Sequence, residues 1–197
     1  MNLELDSPAY AFLGDDVAID HEHPLVQSLA SGLLHTGGGS DEGYAQACFE
    51  FVRDEVRHSM DAGDSAVTWR ASDVLAQRTG LCYAKSHAYV ALLRAAGIPA
   101  GLCYQRLALD GDRFALHGIV AVCLDGAWTR QDPRGNNPDV TTEFAPVGEW
   151  LAYPVRPEAG EIDYPTVYAS PPAAVLSVLQ QWDDCQALCD GHLPPAL

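Results

Sequence analysis

The stretch QRTGLCYAKSHAYVALLRAAGIPAG, residues 77–101, sets a cysteine between a glycine turn and a long apolar run. Ala84, Tyr89, Val90, Leu92, Leu93 and Ala95 fall on nearly every side of a helical period, which predicts a helix buried all round. Gly97, taking the left-handed conformation, ends that helix, and Pro99 cannot continue it. Cys82 therefore stands where the helix begins. Backbone N–H groups there have no intrahelical partner and the helix dipole is positive. Both favour a thiolate, so Cys82 is a candidate nucleophile.

Upstream the chain reads as helical. HPLVQSLASGLLHTGGG (23–39) predicts a short helix ended by glycines. SDEGYAQACFEFVRDEVRHS (40–59) predicts a second, capped by Ser40, with Tyr44, Cys48, Phe51, Val52 and Glu55 at three-and-four spacing and Arg57 and His58 in its last turn. SDVLAQRTG (72–80) predicts a third, capped by Ser72 and stopped by Gly80. After Pro99 the pattern changes. AGLCYQRLAL, RFALHGIVAVCL and AWTRQD, separated by DGD and by Asp125-Gly126, predict three strands in an antiparallel meander. Residues 133–172 are rich in turn formers and suit loops with one or two further strands, and a helix is expected over about 171–190. Helices followed by an antiparallel sheet make an α+β fold, one domain over 1–197 with its core at about 40–150.

A thiol nucleophile needs a base, and the base an orienting group. His87 is five residues from Cys82, roughly 140° around the helix, and is assigned to packing or a backbone hydrogen bond. His117 is better placed. If Asp125-Gly126 form a two-residue turn, residues whose numbers sum to 251 face each other, so Ile119 opposes Asp132 and His117 shares their face. Asp132 could then hold the His117 ring while that ring takes the proton of Cys82. The thiolate would attack an amide or ester carbonyl, with the Cys82 N–H as oxyanion donor and a thioester as intermediate. Cysteine, histidine and aspartate occur in any domain of this size, so at this point a structural reading of all three stays open.

GLCYAKSHAYVALLRAAGIPA, LHGIVAV and WTRQDPRGN, in that order, resemble the three blocks of the transglutaminase-like superfamily: a Gly-x-Cys opening a central helix, a histidine on one strand and an aspartate on the next. VRDEVRHS, ASDVLAQRTGLCYAKSH and CYQRL add a likeness to its small bacterial members, over roughly residues 45–150. The resemblance implies a papain-like α+β core in which N-terminal helices and a central Cys-bearing helix pack on an antiparallel sheet. It also implies Cys82, His117 and Asp132 as a triad, and a cysteine protease, hydrolase or acyltransferase. Family members include crosslinkers, peptidases, amidases and proteins that have lost the triad. Crosslinkers place a tryptophan upstream of the cysteine; here Trp69 is the upstream tryptophan, and packing suits it better. Tyr83 and Gln105 are weaker candidates to line the cleft or to steady an oxyanion. Lys85, one turn after Cys82, suits an ion pair, while Arg134 and Asn136 suit a turn or the orienting of Asp132.

Composition narrows the class. With 27 acids against 11 bases the formal charge is −16, which excludes nucleic acid and anionic membrane as expected partners. The opening MNLELDSPAYAFLGDD is acidic, unlike a signal peptide, and six cysteines scattered through apolar segments suit reduced thiols. A cytoplasmic location is expected. Neither Cys185, Cys189 and His192 nor His21 and His23 make a convincing metal set, so no metal or cofactor is expected. The expected activity is thiol-dependent hydrolysis of an amide, peptide or isopeptide bond in a peptide, protein or small amide, because no acceptor-amine site is evident. The alternatives are transfer to an amine, an acetyl-coenzyme A-dependent amine acetyltransferase, and a binding module that keeps the fold without catalysis.

Overall fold

The computed structural model describes all 197 residues. A two-residue strand β1 (Glu4–Leu5) and a 3₁₀ turn at Ala9–Leu13 precede helices α1 (Pro24–Thr36) and α2 (Asp41–Glu55). Strand β2 (Arg57–His58), α3 (Ser59–Ala62), α4 (Ala71–Gln77), β3 (Thr79–Gly80) and the central α5 (Cys82–Ala95) follow. Then come β4 (Ala100–Ala108), β5 (Phe114–Leu124), β6 (Ala127–Gln131), β7 (Ile162–Asp163), β8 (Thr166–Val167), α6 (Ala173–Gln181) and α7 (Cys185–Cys189). The architecture is α+β, as the sequence led us to expect. No helix is long and apolar enough to cross a membrane.

Local chemistry explains most boundaries. The Ser40 hydroxyl accepts the Gly43 N–H at 3.1 Å and starts α2, with Asp41 and Glu42 in its first turn. α2 ends at Glu55, so Arg57 and His58 do not belong to its last turn. They form β2, paired in parallel with β3, with His58 opposite Gly80. Ser72 is not a cap: α4 begins after Arg70, and the Asp20 carboxylate accepts both the Ser72 N–H (3.0 Å) and its hydroxyl (2.5 Å). That helix stops at Arg78 in the left-handed conformation, ahead of Gly80. The single helix expected near the C-terminus is two. Trp182 leaves the helical conformation, and the Asp184 carboxylate accepts the Ala187 N–H at 2.8 Å to start α7.

α5 is buried from Cys82 to Arg94, polar residues included. Its large charged and ring side chains survive burial by reaching backbone carbonyls, whereas the Ser86 hydroxyl is buried without a partner. Arg94 donates to Ala100 O (2.8 and 3.1 Å), Gly14 O (2.7 Å) and Ala169 O (2.6 Å). His87 uses Nδ1 on Trp69 O at 2.7 Å, the structural role read from its position. Lys85 makes no ion pair. Its ammonium donates to Val56 O and, at 3.3 Å, to Arg53 O, tying α5 to the end of α2.

The main sheet runs β6-β5-β4-β7, antiparallel throughout. Asp125 (φ 50°) and Gly126 (φ 80°) make the tight turn between β5 and β6, and Val120 opposes Gln131, the register inferred from a two-residue loop. One face, with Leu116, Val120 and Val122, packs on α5 and the other helices. The opposite face carries Cys103, Ile119 and Ala121 against Phe12 and Val167.

Burial lowers the Lys85 amine to about 7, helped by nearby Arg134 and opposed by Asp132, Asp54 and Asp61. Between about 7 and its ordinary 10.5 the unfolded chain binds a proton that the folded chain has released, so Lys85 adds stability as pH rises through that window. Urea midpoints of wild type and Lys85→Met, compared between pH 6 and pH 10, should therefore diverge in favour of wild type as pH rises.

Candidate active site

The parallel pairing of β2 with β3 fixes the chain just ahead of α5, and Leu81 turns it in extended conformation so that Cys82 is the first helical residue. The Gly118 N–H of β5 points at the Cys82 sulfur, 3.5 Å away. This approach depends on glycine. A Cβ at position 118 would lie 3.1 Å from Tyr83 Cδ1 and 3.2 Å from its Cα, tighter than ordinary contact. β5 thus comes close enough to bring His117 beside Cys82 because the next residue has no side chain.

His117 Nε2 meets Asp132 Oδ2 at 2.8 Å. Asp132 is fully buried and its oxygens are well supplied: Oδ2 also accepts the Ala152 N–H (2.9 Å), and Oδ1 accepts the Arg134 N–H (3.1 Å). Tyr153 stands edge-on to the imidazole, with ring centres 5.1 Å apart and planes at 87°. With Nε2 committed to the carboxylate, Nδ1 is the nitrogen left to exchange a proton with the thiol.

Burial by itself would push the His117 ring down, but the Asp132 charge and hydrogen bond outweigh it, aided by the Cys82 sulfur, and raise it to about 10. Burial would raise Asp132. The His117 charge and hydrogen bond, with the two backbone N–H donors, hold it below the ordinary carboxylate value instead. The pair is an imidazolium beside a carboxylate. Elsewhere, burial pushes the Cys48 and Cys103 thiols up to about 12.

The sequence matches the family model of the transglutaminase-like superfamily over residues 27–133, which takes in α5, the strand bearing His117, and β6 with Asp132 just past its end. The chain belongs to that superfamily. Its fold is similar to the crystal structure of a presumed cysteine protease from Cytophaga hutchinsonii, at 20% identity and a TM-score of 0.50, over 66% of this chain and 43% of that one. It is also similar to the periplasmic domain of TgpA from Pseudomonas aeruginosa, at 19% identity and a TM-score of 0.45, over 65% of this chain and 48% of that one. This transglutaminase-like chain spans less than half the length of either structure. A search of curated proteins returns no match.

The site opens onto a cleft of about 520 Å³ whose wall includes His58, Leu81, Cys82, Tyr83, His117 and Tyr153. Of the weaker candidates, Tyr83 lines the cleft, with its hydroxyl committed to Leu116 O. Gln105 lies directly opposite His117 on β4, buried and outside the cleft wall. Trp69 is likewise outside that wall; it packs against the core, and its ring carries the Arg70 guanidinium 4.6 Å from the ring centre. The Arg134 side chain is bidentate to Asp61 (2.8 and 3.0 Å), and Asn136 accepts the Thr142 N–H at 2.7 Å to hold a turn. Glu149 is paired with the buried Arg130. No group of three or more His, Cys, Asp or Glu side chains is placed to hold a metal; His21 and His23 are spent on Leu13 O and the Leu25 N–H.

Three contributors escaped sequence reasoning. Ala152 and Tyr153 reach the site from a proline-rich loop twenty or so residues past Asp132, where no periodicity marks a role. His58 enters through the β2–β3 pairing, too short to leave a pattern.

Gly118→Val should cost roughly 1–3 kcal/mol of stability, the usual penalty for overpacking. Urea denaturation checks the stability, and the alkylation rate of Cys82 should change with it. An unchanged protein would mean that α5 does not depend on this approach.

Proposed function

We propose that this chain is a cysteine hydrolase that cleaves an amide or peptide bond through Cys82, His117 and Asp132. The observation that carries the reading is the buried Asp132–His117 pair with the Cys82 sulfur beside it at the head of a helix. In the resting site His117 already holds on Nδ1 the proton given up by Cys82, as an imidazolium paired with Asp132, so the sulfur is ready to attack. The thiolate attacks the carbonyl carbon, and the oxyanion faces the free N–H groups of the first turn of α5. His117 returns its proton to the leaving amine, and a thioester remains on Cys82. Water, deprotonated by the same ring, releases the acid and restores the thiol.

Cys82 is 9% exposed and lines an open cleft, in keeping with a catalytic role over a purely binding one. The substrates we assign are peptides, proteins or small amides. Six free cysteines, with Cys185 and Cys189 unbonded at 4.0 Å between sulfurs, fit a reducing compartment such as the cytoplasm.

Iodoacetamide labelling, read cysteine by cysteine by mass spectrometry near pH 6.5, tests the reading. Cys82 should be modified first, well ahead of the more accessible Cys123 and Cys189, whose thiols are both raised. His117→Ala should slow Cys82 by on the order of 10²-fold, the scale of a lost general base. Labelling of Cys82 no faster than that of Cys123, or indifferent to His117, would remove the catalytic reading.

A further inference from the structure

The cleft beside Cys82 and His117 carries a chemical preference of its own. Away from the triad it is walled by the end of β4, the start of β5 and the loop that follows Tyr153: Leu107, Leu109, Ala115, Leu116 and Pro154. Its volume, about 520 Å³, is that of a site built for a small organic group. The charged side chains in the wall are already satisfied from within. Arg134 gives both terminal nitrogens to Asp61 (2.8 and 3.0 Å). Arg156 gives its guanidinium to Glu161 (2.5 and 3.2 Å), whose carboxylate also accepts the backbone N–H of Arg156 (2.7 Å) and of Ala108 (3.2 Å). His58 is held uncharged, because burial and the neighbouring Arg134 lower it to about 3. A charged substrate group entering here would lose water and gain no counter-charge, whereas an aliphatic one would bury its surface at no such cost. The acidity of the molecule as a whole, −16, is not repeated in this wall.

We infer that the acyl group delivered to Cys82 is an uncharged aliphatic group of several carbons, seated between Leu107, Leu109, Ala115 and Leu116. This rests on the hydrolase reading above and adds the substrate class to it.

The test uses p-nitrophenyl acetate, butyrate and hexanoate, with the hexanoate-length esters of adipic and 6-aminohexanoic acid as charged counterparts. In each, the Cys82 sulfur forms a C–S bond to the acyl carbon, the C–O bond breaks, and p-nitrophenolate leaves while His117 holds the thiol proton. Rates of p-nitrophenolate release are divided by those of free cysteine with the same ester, which removes intrinsic reactivity. Hexanoate should exceed acetate by roughly tenfold or more, as expected when several methylenes are buried, and should exceed both charged esters. Leu109→Asp, at an exposed position of the wall, should narrow the ratio of hexanoate to acetate. A flat series, or a charged ester as fast as hexanoate, overturns the inference while leaving the triad standing. Release unchanged in Cys82→Ala overturns the hydrolase reading and this inference with it.

Discussion

A carboxylate removed from all contact with water must be neutralised and fully hydrogen-bonded, and Asp132 lays that requirement on three parts of the chain. β5 has to bring His117 Nε2 to 2.8 Å, the turn after β6 has to aim the Arg134 N–H at Oδ1, and the long loop has to return so that Ala152 N–H reaches Oδ2. Once those three are met, the His117 ring has one orientation and one free nitrogen. The central helix supplies the other half of the site by placing Cys82 at its first turn, against a strand that Gly118 leaves bare. The chemistry is therefore set by two packing conditions, a satisfied buried charge and a close helix–strand approach.

Much of this was legible in the sequence where the physics is local. The buried helix, its glycine stop and the Cys82 position follow from the period of the apolar residues. The pairing of His117 with Asp132 follows from a two-residue turn and the alternation of strand side chains, since Asp125-Gly126 leave one register open. What could not be read is what depends on partners far along the chain. Ser72 looks like a cap, but Asp20, 52 residues upstream, satisfies both its donors. Arg57 and His58 look like a helical last turn, but a partner strand at 79–80 takes them. Lys85 looks like half of an ion pair, yet two carbonyls at the C-terminal end of α2 hold its amine. Gln105 has the right position on β4, yet it is buried opposite His117 and outside the cleft wall.

The contrast between surface and cleft bears on how such a protein selects substrates. A strongly acidic molecule attracts cations over a distance set by ionic strength. Inside the cleft the pairs Arg134–Asp61 and Arg156–Glu161 cancel their own fields, so recognition there falls to shape and apolar area. The long-range field and the local wall thus favour different groups, and the wall we propose to seat the acyl group would have the larger say at short range.

The central claim is that Asp132 keeps the His117 ring charged beside the thiol, and nitrogen-15 NMR of the histidine rings across pH 5–11 tests it directly. His117 should remain an imidazolium through pH 8 and titrate near 10, and Asp132→Asn should return it to the neutral form at pH 7. A His117 ring already neutral at pH 7 in the wild-type protein would contradict the account.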